Sequence, residues 1–321
     1  MQRATLAQPK KQPRNKPYTL TPVDSDILNA VWFHHFITAE QLLRHRDRSI
    51  NGLPKMQEKL KLLYEHKYLD RFYQPRYEPH GSLPFVYLLA SKGIKYLTDS
   101  FGIAAHSYYR PSDNYKRSPL DVPHDLALNE VFIAARHLEK YEPHISVAEV
   151  RHEWMLRQEI YKVSLYRDTQ TQQVREVVRF TPDGWLDFRI TTGNQTQQAC
   201  ILVELDMATH QKPRFQKKIA SYIAFINEGL YEQHFQTTSV VIAFVTPTGE
   251  KRAMQMKAWC EEQLVNSPVY RPSLYPTNGI NDAGLFLFGA VPPGGLNPAD
   301  LFLSPMWYAP FDNQPQPLIQ I

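Results

Sequence analysis

The residues best equipped for chemistry lie close together in the chain, in FTPDGWLDFRITTGNQTQQACILVELDMATHQKPRFQKKIASY, residues 180–222. Side chains at i and i+2 of a strand share a face, so Glu204 and Asp206 are expected to point together, while Val203 and Leu205 point into the opposite layer. Paired carboxylates in an apolar strand are costly unless a cation or a metal neutralises them. Asp183, set between Pro182 and Gly184, falls at a bend from which its carboxylate can approach the pair. Three oxygen ligands that leave positions for water suit Mg²⁺ or Mn²⁺, and such an ion can activate water for attack on phosphate. Asp183, Glu204 and Asp206 are therefore the expected metal ligands.

A basic helix follows. At about 100° per residue, Phe215, Ile219, Tyr222, Ile223 and Ile226 form one buried stripe. Lys218 flanks that stripe by roughly 80°, whereas Lys217 lies on the solvent side. Lys218 is thus the lysine expected to reach the sheet, where its ammonium could orient water or offset transition-state charge. It completes a catalytic set with Asp183, Glu204 and Asp206.

The elements around this stretch must place it. VPHDLALNEVFIAARHLEKY reads as an amphipathic helix with Leu126, Leu128, Val131, Phe132, Ala135 and Leu138 inward. HISVAEVRHEWML, EVVRFTPDGWLDFRI, QQACILVELDM and SVVIAFVTPT read as strands, with a helix over 213–228 before the last. Together they predict a mixed-sheet α/β core over 121–270. Residues 271–321, with nine prolines, are expected to form an extended Pro-rich segment that wraps the core.

The front of the chain differs in kind. Residues 1–17 carry five basic residues, three prolines and no acid, and read as a flexible arm. Thr21 then predicts an N-cap with Pro22 at the first helical position, and Ile27, Leu28, Val31 and Trp32 follow at helical spacing. Thr38 with Gln41 three residues on predicts a capping box for a short second helix. GLPKMQEKLKLLYEHKYL predicts a third, burying Met56, Leu60 and Leu63 and leaving Lys55, Gln57, Lys59 and Lys61 on or near the outer face. LDRFYQPRY and LPFVYLLA flank a turn with Gly81 and read as a hairpin. Three helices and a hairpin over 18–103 are the order of a winged helix-turn-helix, whose third helix enters the major groove of double-stranded DNA. Lys55, Gln57, Lys59, Arg71 and Arg76 are the expected DNA-binding residues. Residues 104–120 lack periodicity and read as a linker.

The charge balance agrees with this split. Residues 1–120 hold 19 Lys/Arg against 10 Asp/Glu, a net +9, and residues 121–321 hold 17 against 22, a net −5, within an overall +4. A basic front half suggests a polyanion partner. No run nears the roughly 18 apolar residues of a membrane span, and no secretion signal opens the chain, so a cytoplasmic protein is expected. Cys200 and Cys260 lack metal-ligand spacing and are expected to be buried free thiols.

Asp183 in PDG, Glu204 some twenty residues on and a nearby lysine resemble the PD-(D/E)xK nuclease signature, with Asp206 standing where the motif has lysine. LTPVDSDILNAV, ITAEQLL, YLDRF, FVYLLASKGIKYL, HDLALNEVFIA, TPDGWL, VELDMAT and KKIASY together resemble the replication-relaxation family of plasmid and mobile-element proteins. That resemblance implies a winged helix joined to a nuclease-like core, with the lysine on the helix after the acidic strand, as Lys218 is. It also implies an accessory acid at Glu130 and a recurring histidine at His124, the latter with a capping or packing role as its alternative. The implied activity is metal-dependent DNA nicking or cleavage with Mg²⁺ or Mn²⁺, alongside other replication or mobilisation proteins. A catalytically inactive DNA-binding factor and a protein-binding adaptor stay open beside it. Strand relaxation would call for a tyrosine nucleophile, yet no His-hydrophobic-His pair occurs, and Tyr222 lies in the buried stripe.

Overall fold

The computed structural model describes residues 17–46, 50, 52–73, 84–103, 121–157, 161–168, 173–266 and 285–321. Residues 1–16 of the expected arm, the linker, Arg76 and the hairpin tip with Gly81 lie outside the described residues. The protein is a mixed α/β chain that divides into two units, one up to Ile133 and one from Ala134.

In the first unit α1 (Pro22–His34) starts where Thr21 caps it, and Asp24 returns the bond to the Thr21 backbone at 2.8 Å. A two-residue strand, β1 (Ile37–Thr38), was not anticipated; it leads into α2 (Ala39–His45), which carries the Thr38–Gln41 capping box. After α3 (Leu53–Glu65) come β2 (Leu69–Tyr73) and β3 (Phe85–Leu89), and β3 lies between β1 and β2 in an antiparallel sheet. Ile27, Leu28, Val31, Leu42, Met56, Leu60, Leu63 and Leu69 fill the core, as their helical and strand spacing requires. α4 (Ser91–Phe101) closes it. α5 (Asp121–Tyr141) begins in this unit, where Asn129 Nδ2 donates to Phe36 O at 2.5 Å.

The second unit is built on a five-stranded mixed sheet in the order β10-β9-β8-β7-β4. β4 (Ile145–His152), β7 (Gly184–Thr192) and β8 (Gln195–Leu205) are antiparallel neighbours. α7 (Lys212–Asn227) crosses over to β9 (Val241–Thr246), which runs parallel to β8. α9 (Glu250–Asn266) crosses to β10 (Phe286–Ala290), parallel to β9. A two-stranded sheet, β5 (Tyr161–Asp168) with β6 (Gln173–Phe180), is inserted between β4 and β7. The short helices are α6 (Glu153–Leu156), α8 (Leu230–Phe235) and α10 (Pro298–Leu303).

Three expectations are corrected here. EVVRFTPDGWLDFRI is two strands, because the chain leaves the ladder over Thr181–Asp183 and moves from one sheet to the other. The strand at HISVAEVRHEWML stops at His152 and turns into α6. Within the tail, Phe286–Ala290 form an edge strand of the sheet rather than a wrapping: Phe286 and Phe288 are fully buried, and Trp307 packs against Gly289; residues 271–284 lie outside the described residues. A Cβ on Gly289 would lie 2.8 Å from the Trp307 ring, so the strand accepts the indole only because that position has no side chain. Both cysteines are buried free thiols. Among the described residues no helix is long and apolar enough to cross a membrane.

Gly93 on α4 is fixed by a similar constraint, since a Cβ there would sit 2.2 Å from the Tyr68 carbonyl oxygen. Backbone atoms yield less readily than side chains. Gly93→Ala is expected to cost about 3 kcal/mol in urea unfolding, while the exposed Lys95→Ala should leave the unfolding midpoint at the wild-type value.

Candidate functional site

Three segments bring acids to one end of the five-stranded sheet. Register sets His152 beside Gly184 and Gly184 beside Val203, so the end of β4, the start of β7 and the end of β8 are level. Glu153, Asp183 and Glu204 each lie one residue from that line. All three are buried, Glu204 at 1% exposure.

Glu204 shares its face of β8 with Cys200 and Leu202, the face covered by Phe215, Ile219 and Tyr222 of α7. Lys218, on the flank of that stripe, donates its ammonium to Glu204 Oε2, and the Tyr222 hydroxyl donates to Oε1. Asp183 Oδ2 accepts from Leu205 N at 2.8 Å, which ties the bend before β7 to the strand that carries Glu204. Lys217 points away and pairs with Glu176 on β6 at 2.5 Å, both of them exposed.

Electrostatics follow from the burial. Loss of water pushes the Glu204 carboxyl up to about 8, Lys218 pulls against that rise, and the charge on Asp183 adds to it. Burial works against the Lys218 ammonium too, but Glu204 and Asp183 outweigh it, with Glu153 adding to the same field, and the lysine ends above its ordinary value. Burial and the neighbouring Glu204 raise the Tyr222 phenol well above its usual range. The cluster holds more acid than base.

Asp206 does not join it. The strand ends at Leu205, and Asp206 is gripped by Arg252 of α9, with Nε to Oδ1 at 2.9 Å and Nη2 to Oδ2 at 3.0 Å. Ala208 N donates to Oδ1 at 2.6 Å, and His210 Nδ1 lies 3.3 Å from Oδ2. Burial opposes the charge on Asp206, but the bonds from His210, Arg252 and Ala208 outweigh it and hold the carboxyl down to about 2.

The other expected residues are elsewhere. Glu130 accepts from Gln41 Nε2 at 2.8 Å and from Arg44 at 2.5 Å, within the first unit. His124 Nδ1 is 3.7 Å from Asp125 Oδ1. Lys55 and Gln57 are exposed on α3, whereas Lys59 is drawn onto buried Asp24 at 3.0 Å. Arg71 is sandwiched between the rings of Tyr64 and Phe85, at 4.4 and 4.1 Å. Tyr222, one turn beyond Lys218 and expected as a core residue of the buried stripe, is buried and also bonds Glu204. Glu153 and Arg252 were not foreseen as site residues; Arg252, 46 residues from Asp206, left no local signal.

The depressed Asp206 carboxyl makes a pH prediction. Its contribution to stability is fully present above its unfolded value near 3.8 and is lost as pH falls through the folded value of about 2. The difference in unfolding free energy between wild type and Asp206→Asn should therefore shrink by about 2 kcal/mol between about pH 5 and pH 2 in urea titrations.

A family model described as replication-relaxation matches residues 28–272, from within α1 to beyond the end of α9. No curated protein and no solved structure matches the chain.

Proposed function

The chain belongs to the replication-relaxation family, and on that premise we propose that it binds double-stranded DNA of a plasmid or mobile element and cleaves or nicks it with Mg²⁺ or Mn²⁺. One observation carries the reading: Lys218, supplied by the helix after β8, reaches Glu204 beside Asp183. That is the carboxylate-carboxylate-lysine set of a PD-(D/E)xK core, with its lysine moved from strand to helix.

The donors suit a hard cation. Among the described residues no group of three His, Cys, Asp or Glu side chains is disposed to hold a metal, which fits an ion that keeps several waters and takes only one or two carboxylates. Asp183 and Glu204 would hold it. A bound ion would supply charge neutralisation at the phosphate and a more acidic water. Tyr222 fixes the Glu204 carboxylate through Oε1. Lys218 brings a positive charge next to the acids, where it can offset charge on a phosphate in transit. Asp206, held by Arg252, drops out of the proposed ligand set and instead secures the turn into α7.

The first unit supports the DNA half of the proposal. Its order α1-β1-α2-α3-β2-β3, with β3 between β1 and β2, fits a winged helix-turn-helix. Lys55 and Gln57 are on the exposed face of the helix that would enter the groove. Arg71 and Lys59 are engaged within the unit, so they are weaker candidates for phosphate contacts than Lys55.

A second reading has its own support. Both Glu204 oxygens are already bonded and Asp183 is nearly buried, as in a retained core that serves only binding. Supercoiled plasmid separates the two. With Mn²⁺, wild type should yield open circle or linear DNA, Lys217→Ala should match it, and Lys218→Ala should lose about 10²–10³ in rate. Asp183→Asn should be inactive. Plasmid left intact by the wild type in both Mg²⁺ and Mn²⁺ would favour the binding-only reading, and equal loss in the two lysine variants would remove Lys218 from its role.

A further inference from the structure

The inserted sheet β5–β6 has two unlike faces. Tyr161 and Val163 are buried, and with Phe180 and Val178 they pack into the core beside Tyr222 and Phe225 of α7. Alternation turns the next residues outward: Lys162 and Ser164 on β5, Val177 and Arg179 on β6. Lys162, Val177 and Arg179 are exposed. No acid shares these four positions.

The register sets Lys162 directly opposite Arg179. Like charges that face each other across a strand pair are destabilising. Among the described residues neither has a hydrogen-bond or ion-pair partner to relieve the repulsion. Nearby Lys217, by contrast, is neutralised by Glu176. A solvated face kept only for solubility has no need to oppose two cations and leave both unpaired.

We propose that the outer face of β5–β6 binds the phosphate backbone of duplex DNA, with Lys162 and Arg179 on neighbouring phosphates. The inference rests on the DNA reading above and adds to it a contact surface in the second unit. Placement supports it. Arg179 precedes Asp183 by four residues, so their Cα atoms are at most about 14 Å apart, within about four base-pair rises along one strand. Phe180, the next residue, sets its ring 5.1 Å from that of Tyr222, whose hydroxyl bonds Glu204. The strand that carries Arg179 thus packs its inner face on the helix that reaches the acidic cluster, while Arg179 itself stays on the outer face. Charge complementarity names the occupant: a polyanion, met by two cations at the four outward positions, with Glu228 held at the strand edge by Ser164 N at 3.2 Å.

The test uses the full chain, a fluorescein-labelled duplex of about 30 base pairs and anisotropy without divalent metal, from about 50 to 300 mM salt. Each lost phosphate contact lowers the log–log slope by about 0.9, so Lys162→Ala with Arg179→Ala should lower it by about 2. The swap Lys162→Arg with Arg179→Lys should keep the wild-type slope, as should Lys251→Ala, an exposed cation on α9. Because the removed pair is repulsive, the double alanine variant should unfold at the wild-type temperature or above it. A double variant with the wild-type slope would overturn the hairpin assignment alone. Unfolding of the double variant clearly below the wild-type temperature would do the same, since it would reveal an internal role for the pair. A wild type that shows no salt-dependent binding would overturn the DNA reading and this inference together.

Discussion

A carboxylate buried at the end of an apolar strand has to be protonated or neutralised, and Glu204 imposes that demand on the second unit. Its burial is nearly complete, so the desolvation cost is large. Lys218 and Tyr222 answer it from adjacent turns of α7. That requires the helix to lie across β8 in one rotational setting. The apolar stripe of Phe215, Ile219 and Ile223 provides that setting by packing under the same sheet face. A polar cluster and a hydrophobic core therefore specify the same helix phase, and neither could change without the other.

The two acids of the VELD segment illustrate how short the reach of strand geometry is. Glu204 and Asp206 are two residues apart, yet one meets α7 and the other meets Arg252 of α9. Asp206 lies past the last strand residue, where the chain turns and Ala208 adopts a positive φ of 59°. The Asp206 carboxylate closes that turn through Ala208 N and is itself clamped by the guanidinium. The geometry thus assigns the pair different work: Glu204 to the proposed site, Asp206 to the turn that delivers Lys218.

Much of this was legible in the residues, where the relevant force is local. The caps at Thr21 and Thr38 depend on atoms three residues away, and the sidedness of Lys217 and Lys218 depends only on helix pitch. Asp183 at a bend followed from its proline and glycine neighbours. What was not legible depends on distant segments. Arg252, in the first turn of α9, finds Asp206 only because β9 pairs beside β8, and Trp307 finds Gly289 only through a return of the chain. The proline content of the tail argued for an extended wrapping, but Phe286, Leu287 and Phe288 bury so well beside β9 that they extend the sheet. Glu130, taken up by Gln41 and Arg44, shows that an amphipathic helix fixes which side a residue faces but not what it meets there. Glu153 was hidden inside an apparent strand; the break at His152 is what turns it into the buried end of the sheet.

The central proposal is that Asp183 and Glu204 hold a divalent cation beside Lys218. The most direct measurement is the number of Mn²⁺ ions bound per chain, read by electron paramagnetic resonance on the whole 321-residue chain with saturating duplex. The account predicts Mn²⁺ bound at this site in wild type and in Lys217→Ala, and its loss in Asp183→Asn and in Glu204→Gln with both variants still folded. Equal Mn²⁺ binding by wild type and the two carboxylate variants, or none by any of them, would contradict it.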